Sequence, residues 1–509
     1  MNRFAMRWLL LIFPSLIGYP AWAQSPASHV ETTASRKAEA APAAVLPGAR
    51  QKLFGNIPLS TRSAEARRLV ELSLDKYENH LQEDAISAAK HAISKDSQFA
   101  LGYAALSLAS LSAIPDSAAL AKAKTLMPHC TPDEQLLIRW MTSLGDRDLL
   151  PAISAMNDLM NRYPKDPHVL YLIADWLYYR QDYELARKML ENIHKIDPDF
   201  PPALNLLAYS YIQTGTPEPA EAIASLHRYA EVQPASPNPQ DSLGEILRFT
   251  GDDQGSREHY AEALKRDPTF ISSRWGLGDT AALMGDYDSA RTELDRAIGM
   301  ATNPRDRFHA EFQKTLVFFW EGHPAEGRKS LDALYSRVIQ DKEPNALFEI
   351  GFGRALLAAD FGAEFEHLRG LETQLQETLT GMTEVDRNNA LAMILRERTR
   401  VAALHGLPTV AQQSIRRLEN LASLSRDPIV ENCYEIARGY LLFAQGDFAG
   451  AADQLSADPR ALLALEQLER AQEKLDNEAA AEATHKRIQY LRGPTPDWYL
   501  ITHPAESSQ

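Results

Sequence analysis

The feature that most constrains this chain is a helix–turn–helix pattern that recurs between residues 164 and 304. Prolines close successive copies of the pattern at intervals of 34, 36 and 34 residues. Inside each interval the same apolar and small residues return at the same offsets, which is typical of a repeat array whose units pack against their neighbours. The prolines that set this spacing are Pro164, Pro198, Pro234 and Pro268.

The copy that ends at Pro198 shows how one unit folds. Its first segment places Leu170, Ile173 and Leu177 on one face of a helix, because residues three or four positions apart lie above one another. The polar turn 181–183 separates it from a second amphipathic segment, which ends where Pro198 removes a backbone donor. Such a hairpin cannot bury its apolar face alone, so the sequence predicts a stack of hairpins.

Small residues recur where the two helices of each unit are expected to cross. A bulky side chain at such a crossing would push the helix axes apart. In the first helices the small residues are Ala174, Ala208, Gly244 and Gly278, and the facing residues of the second helices are Ala186, Ala222, Ser256 and Ala290.

These residues and this period resemble the tetratricopeptide repeat (TPR) family, in its exported bacterial form. The match is best over residues 133–302, and weaker helical pairs extend the predicted array to residues 63–493. The resemblance implies an all-α fold, a right-handed α-α superhelix (TPR solenoid) of helix–turn–helix repeats. The apolar C-terminal tail, residues 494–509, is expected to fold back on the final helices because an open solenoid end needs covering.

The first 23 residues have the composition of a secretory signal peptide. A basic start precedes a short apolar run, and the sequence 21–23 is an A-x-A cleavage site before Gln24. An uncleaved anchor is the alternative. Residues 24–58, which are rich in Ala, Ser, Pro and Thr, are predicted to be a flexible leader. The chain is therefore expected to be exported, to the periplasm or outside the cell, with no transmembrane segment once the signal is removed.

Composition and motifs argue against several classes of function. The net charge of −15 becomes −17 when the signal removes two arginines, and such a surface repels nucleic acid. Cys130 and Cys433 are expected to stay unpaired, because repeat units should touch only their neighbours. Two Gly-x-Gly matches, at 276–278 and 351–353, are interpreted as close helix packing. With no hydrolase, nucleotide-binding or metal motif in the sequence, no catalytic residue, metal or cofactor is predicted.

The family resemblance also implies a binding face. TPR arrays turn their first helices inward to form a concave groove that holds a peptide or a partner helix. Aromatic side chains there offer apolar burial and acidic ones select a positively charged ligand, so a basic or amphipathic protein or peptide is the expected partner. The predicted groove residues are Tyr171, Asp175, Tyr178, Tyr209, Glu245, Trp275 and Asp279. Alternatively, the aromatics are partly buried ridges and the acids a solvated face.

The leading hypothesis for function is a non-enzymatic protein-binding scaffold of the cell envelope. A structural component of an envelope or polysaccharide-export assembly, joined through the convex face, is the alternative. An enzyme would need side chains that meet across the groove, and it is the minor hypothesis. The sequence does not determine the oligomeric state.

Export with cleavage after Ala23 gives the first testable prediction. N-terminal sequencing of the mature protein should begin at Gln24, because the A-x-A motif ends at the preceding residue. Recovery of a membrane-bound form that still begins at Met1 would contradict it.

Overall fold

The structure is a computed structural model that describes residues 57–110, 116–146, 149–377, 384–425 and 427–503. Within these ranges the chain forms α-helices joined by turns, and it contains no β-strand. The predicted signal peptide and nearly all of the predicted leader lie outside the described residues, as do residues 504–509 of the tail. The predicted all-α fold class is confirmed.

The helices are numbered in chain order. The first half of the array comprises α1 (Ala64–Glu78), α2 (Gln82–Lys95), α3 (Ala100–Ser110), α4 (Ser117–Leu126), α5 (Pro132–Asp146), α6 (Leu149–Arg162), α7 (Pro167–Tyr179), α8 (Tyr183–Ile196), α9 (Pro201–Gln213), α10 (Pro219–Val232), α11 (Asn238–Thr250), α12 (Asp253–Arg266), α13 (Ile271–Leu283) and α14 (Tyr287–Met300). The second half comprises α15 (Pro304–Trp320), α16 (Pro324–Asp341), α17 (Pro344–Leu356), α18 (Phe361–Glu377), α19 (Glu384–Leu404), α20 (Pro408–Ser425), α21 (Pro428–Ala444), α22 (Phe448–Leu455), α23 (Leu462–Lys474), α24 (Glu478–Gln489) and α25 (Pro496–Thr502).

Consecutive helices pack as hairpins, and a glycine–aspartate turn joins several of the pairs. Gly251 ends α11 with φ +84° and Gly285 follows α13 with φ +78°, a left-handed conformation that glycine adopts without strain. The next residue, Asp252 or Asp286, caps the second helix by accepting a hydrogen bond from a backbone N–H three residues later. The repeated Gly-Asp dipeptide therefore ends one helix and begins the next.

The helix crossings depend on small residues, as the sequence predicts. Ala174 and Ala186, one from each helix of a pair, are both fully buried. A Cβ atom added at Gly244 would lie 2.9 Å from the Tyr260 ring, and one added at Gly276 would lie 2.1 Å from Cζ of the same ring. Tyr260 thus packs against the backbones of α11 and α13, and both positions require glycine because no side chain fits beneath the ring.

The chain divides into two compact units. The N-terminal unit contains residues 57–173 and 195–202 among those described, and the C-terminal unit contains residues 174–194 and 203–503. One boundary falls inside α7. In the N-terminal unit, Ser60 anchors the start of the chain, because its backbone N–H donates to the Glu134 carboxylate at the beginning of α5 (2.7 Å). Within the described residues, the chain is therefore packed from just before the start of the predicted array.

Within the C-terminal unit, helices far apart in sequence are bonded to each other. Arg487 on α24 donates to the carbonyl oxygen of Ile212 at the end of α9 (2.5 Å). Arg492 forms an ion pair with Asp253 at the start of α12, with 2.8 Å from Nη2 to Oδ2. The expectation that repeat units touch only their neighbours is therefore wrong for this unit. Arg487 on α24 and Arg492 just after it reach a carbonyl oxygen and a carboxylate at the ends of central helices.

The C-terminal tail also folds onto the array. Helix α25 packs on α23, as expected of a segment that covers the final helices, and additionally on α15 and α17. Tyr499 is buried and its ring lies edge-on to Phe319 (5.6 Å between centroids) and to Trp320 (5.4 Å). The tail therefore covers part of the middle of the array as well as its end.

Cys433 is buried and Cys130 is partly exposed, and neither forms a disulfide. Among the described helices, none is both long enough and apolar enough to cross a bilayer.

A pair of glycine-to-alanine substitutions tests the helix crossings. Gly276→Ala should destabilise the protein by about 1–3 kcal/mol, because the added methyl group overlaps the Tyr260 ring. Gly370→Ala, in open space on the exposed surface of α18, should instead stabilise it by roughly 0.5–1 kcal/mol by relieving the entropy cost of a helical glycine. Equilibrium unfolding in denaturant measures both. Equal effects of the two substitutions would contradict the packing.

Candidate partner-binding face

Polar side chains on successive first helices of the C-terminal unit bond from one helix to the next, and we call this set the inner ladder. Its first two connections join α9 to α11. Ser242 donates to the side-chain oxygen of Asn205 (2.9 Å), and the Tyr209 hydroxyl donates to Oε2 of Glu245 (2.9 Å). All four side chains are buried, so their hydrogen bonds satisfy polar groups that would otherwise be costly to remove from water.

The ladder continues from α11 to α13. Ser273 donates to Oδ1 of Asp241 (2.6 Å) across the helix pair. On α11 itself, Arg248 lies 3.3 Å from Oε1 of Glu245 and also bonds to the Tyr260 hydroxyl. Arg248 is therefore held in place by groups on two helices.

Burial changes the acidity of the ladder carboxyl groups. It raises the pKa of Asp241 to about 7, against the hydrogen bond from Ser273 and the charge of Arg248. It raises the pKa of Glu245 to about 8, which Arg248 opposes and the neighbouring Asp241 reinforces. These groups therefore hold their protons to far higher pH than exposed carboxyl groups do.

The far end of the ladder, on α13, α15 and α17, stays partly open to solvent. The Trp275 ring on α13 lies edge-on to His309 on α15, with 4.8 Å between centroids. Nδ1 of His309 lies 2.7 Å from Oε1 of Glu349 on α17. The His309 and Glu349 side chains are 18% and 35% exposed, and Asp279 is half-buried. Here the inner face presents charged groups that a second molecule can reach.

Opposing effects set the charge at this open end. Burial lowers the pKa of His309, but the charge and hydrogen bond of Glu349, together with Asp279 and Asp306, raise it above its ordinary value overall. The pKa of Glu349 is lowered overall, because His309 and Arg305 outweigh the effect of burial. The pair therefore favours an ionised carboxylate beside a protonated imidazole.

The structure brings four of the seven predicted groove residues into the inner ladder. Tyr209 and Glu245 are hydrogen-bonded to each other, and Trp275 and Asp279 lie one helical turn apart at the open end. Asp279 alone of the seven is more than marginally accessible to solvent. Their role in ligand binding stays a prediction, but most of these side chains are covered by the protein itself.

The other three predicted residues lie on α7. Tyr171 belongs to the N-terminal unit, where its hydroxyl donates to the backbone oxygen of Glu78 (3.1 Å). Asp175 and Tyr178 belong to the C-terminal unit and are both buried, and the Tyr178 ring packs edge-on against Tyr183. These aromatic side chains have the structural contacts of core residues.

Two residues of the open end, His309 and Glu349, are missing from the predicted site. His309 lies 34 residues after Trp275, one repeat length, so extending the period by one unit past Pro304 would have found it. Glu349 lies 40 residues after His309 because α15 and α16 have 17 and 18 residues, whereas α13 and α14 have 13 and 14. Its position cannot be read from a 34-residue period.

No group of three or more His, Cys, Asp or Glu side chains in the described ranges is arranged to hold a metal ion. The open end offers the Asp279 carboxylate and the Glu349–His309 pair on three neighbouring helices, whereas the indole N–H of Trp275 is buried. Such an arrangement suits recognition of a polar or charged group through hydrogen bonds and ion pairs.

Comparisons with known proteins support the repeat assignment. A family model described as tetratricopeptide repeat matches residues 177–238, which contain the predicted unit that ends at Pro234 and the second helix of the unit that ends at Pro198. The resemblance to that family is supported over these residues. A comparison with curated proteins finds no match.

Several solved structures of helical-repeat proteins are similar to this chain. The APC/C hetero-tetramer Cut9-Hcn1 has 15% sequence identity and a TM-score of 0.40, over 81% of this chain and 78% of that one. Yeast Tom70 has 14% identity and a TM-score of 0.39, over 83% and 96%. PilW, a widely conserved type IV pilus biogenesis factor, has 20% identity and a TM-score of 0.32, over 42% and 98%. At these TM-scores the similarities support no inference about partner or activity.

The raised pKa of Glu245 predicts a pH dependence of stability. The unfolded chain releases the Glu245 proton near the ordinary pKa of 4.5, while the folded protein keeps it to about pH 8. Ionisation of Glu245 therefore opposes folding increasingly as pH rises from 5 to 8. The free energy of unfolding falls by up to about 1.4 kcal/mol per pH unit for this one proton. Glu245→Gln should flatten this slope, as measured by denaturant unfolding across that range.

A matched control separates this effect from a general change of charge. Glu482→Gln removes a carboxylate that is 61% exposed, so it should leave the pH slope unchanged. If Glu245→Gln and Glu482→Gln unfold with the same pH dependence, the carboxyl group of Glu245 is not buried as described.

Proposed function

We propose that this protein is an exported, non-enzymatic scaffold that holds a basic or amphipathic peptide or helix against the inner face of its first helices. The observation that carries the proposal is the open end of the inner ladder. There Asp279, His309 and Glu349 reach solvent, although the helices that bear them are packed on both sides. A face with only a structural role would be expected to bury apolar side chains between these helices.

The buried aromatic residues fit this proposal in a supporting role. Tyr209 positions Glu245 through its hydroxyl, and Glu245 in turn positions Arg248. Packing of this kind fixes the direction of the accessible side chains at the open end and lowers the entropy lost when a partner binds. Contact with the partner is then made mainly by Asp279, His309 and Glu349.

The positive charge of the proposed partner follows from the negative charge of the protein. The mature chain carries a formal net charge of −17 after removal of the two arginines of the signal from a total of −15. A negative protein with carboxylates on its binding face attracts basic segments and repels acidic ones, and this attraction weakens as salt is added. Export rests on the signal-like sequence at residues 1–23, and it places the partner in the envelope or outside the cell.

Site-specific photocrosslinking in living cells tests the proposal. A photoreactive amino acid at Glu349 lies on the inner face, and a matched one at Asp288, whose side chain is fully exposed on α14, lies on a second helix of the same unit. The inner position should yield a discrete adduct with a second protein after irradiation. That adduct should diminish in the presence of high salt in membrane-free extracts.

The crosslinks also distinguish the alternatives. Adducts from Asp288 alone would contradict binding on the inner face and would favour assembly through the outer face. Adducts with glycan and none with protein would contradict a protein-binding scaffold and would favour the role in polysaccharide export.

A further inference from the structure

The C-terminal tail contacts first helices that lie far from the end of the array. Helix α25 packs on α23, α17 and α15, each of which is the first helix of its pair. A segment that served only to cover the last hairpin would contact α23 and α24, whereas α15 belongs to a pair four places earlier in the chain. The tail therefore lies along the set of first helices that carries the inner ladder.

The segment that leads into α25 passes over the ladder and approaches its open end. A Cβ atom added at Gly493 would lie 3.2 Å from Nη1 of Arg248. Farther along, Cγ of Pro496 lies 3.3 Å from the position of a Cβ atom added at Gly353 on α17. Gly353 follows Glu349 by one helical turn, so both residues lie on the same face of α17. The beginning of α25 is therefore seated one turn away from the accessible charges of the open end.

Tyr499 is the main anchor of α25 on this surface. It is 4% exposed, and its ring lies edge-on to Phe319 (5.6 Å between centroids) and to Trp320 (5.4 Å) at the end of α15. The ring of His503 stacks on Tyr499, with 4.4 Å between centroids. Phe319 and Tyr499 belong to one apolar cluster, so the end of α15 would expose apolar surface if the tail left. This surface already holds an aromatic side chain supplied by a short helix.

The attachment of α25 is small in extent. The helix has seven residues, and only Pro496 and Tyr499 among them are buried. Isolated helices shorter than about 12–15 residues are marginal in water, so α25 depends on its docking surface for its helical form. Such a segment resembles a bound peptide more closely than a structural helix of the array.

The one charged side chain of α25 does not strengthen this docking. Burial and the neighbouring carboxylate of Glu397 raise the pKa of Asp497 to about 6. Arg396 and Arg400 oppose this shift without cancelling it. At neutral pH the ionised carboxyl group therefore holds the tail less tightly than a neutral side chain of the same shape would. A partner segment without a carboxylate at this position binds the surface without that cost.

We propose that α25 is an internal ligand of the inner face, and that a partner binds there by displacing it. The partner supplies a peptide or short helix whose aromatic side chain takes the position of Tyr499 beside Phe319 and Trp320. Aliphatic side chains follow it, as Leu500 and Ile501 follow Tyr499 and pack against the same apolar cluster. This inference rests on the proposed function, and it names the residue type that the inner face selects and the segment that controls access.

A second copy of this chain is a weaker occupant of the surface than such a partner. Its tail has the same sequence, but the protein's own tail is tethered beside the surface at an effective concentration in the millimolar range. A second copy with equal contacts loses that competition, whereas a partner with stronger contacts wins it.

Exchange of the tail for a synthetic copy tests the site in the mature full-length protein. The probe is a fluorescently labelled peptide with the sequence of residues 494–509, and a second probe carries Tyr499→Ala. The protein variants are Tyr499→Ala, which weakens docking of the tail, and the control Thr502→Ala, which changes an exposed side chain of the same helix. Fluorescence anisotropy gives each dissociation constant.

The site predicts a specific pattern of affinities. The Tyr499→Ala protein should bind the native probe at least about tenfold more tightly than the wild type does, a difference of about 1.4 kcal/mol, because its own tail competes less. The Thr502→Ala protein should bind the probe as the wild type does. The probe that lacks the tyrosine should bind none of the three proteins.

Thermal unfolding separates an open surface from a damaged fold. The native probe should raise the melting temperature of the Tyr499→Ala protein, since a ligand that binds only the folded state stabilises it, and should leave the wild type unchanged. If Tyr499→Ala does not fold, Pro496→Ala, which removes a smaller contact with α17, takes its place, and a smaller gain in affinity is expected.

Three results would overturn the inference. They are no binding of the native probe to the Tyr499→Ala protein at about 1 mM, equal affinity of that protein and the wild type, or a wild-type dimer formed by exchanged tails, which would assign the surface to a second copy.

Photocrosslinking from Glu349 decides the proposed function separately. A protein adduct with the same yield in the wild type and in Tyr499→Ala would support binding on the inner face and contradict control by the tail, whereas a higher yield in Tyr499→Ala would support both. Absence of a protein adduct in either protein would contradict the proposed function, and the peptide exchange would still decide whether the tail can be displaced.

Discussion

Close approach of helix backbones is the constraint on which the rest of this structure depends. Four successive repeats, between residues 165 and 302, pack through alanine, serine or glycine at the crossing of their two helices, and Tyr260 fills the space that Gly244 and Gly276 leave free. Because packed helices allow little sliding, these crossings also fix the rotation of every first helix about its axis. That rotation decides which side chains belong to the inner ladder, and so the ladder is a consequence of the small residues.

The inner ladder changes in character along the array. Between α9 and α13 its groups are buried and mostly bonded to one another, as Tyr209 and Glu245 are, although Nε of Arg248 has no hydrogen-bond partner among the described residues. At α13 to α17 it keeps accessible charges on His309 and Glu349, at a cost in stability that a binding site commonly carries. The closed part holds its helices rigid, and the open part is left with groups that a partner can satisfy. Recognition therefore depends on both parts.

The repeat period was sufficient to predict the fold class and the crossings, because Ala174, Ala186 and Gly244 are local features of each unit. It also identified the helix face that carries Trp275 and Asp279. It did not reveal what covers that face, since periodicity specifies the side of a helix on which a residue lies but not the residues that pack against it. The bonds from Arg487 and Arg492 to central helices were missed for the same reason: no local pattern encodes a contact between residues more than 200 positions apart.

The central claim is that a partner binds the inner face of the first helices in the C-terminal unit. Hydrogen–deuterium exchange of the mature protein, with and without the partner captured by crosslinking, tests it most directly. Exchange in α13, α15 and α17 should slow on binding, with little change in the second helices α12, α14 and α16. Slower exchange confined to those second helices, with none in α13, α15 or α17, would contradict the account.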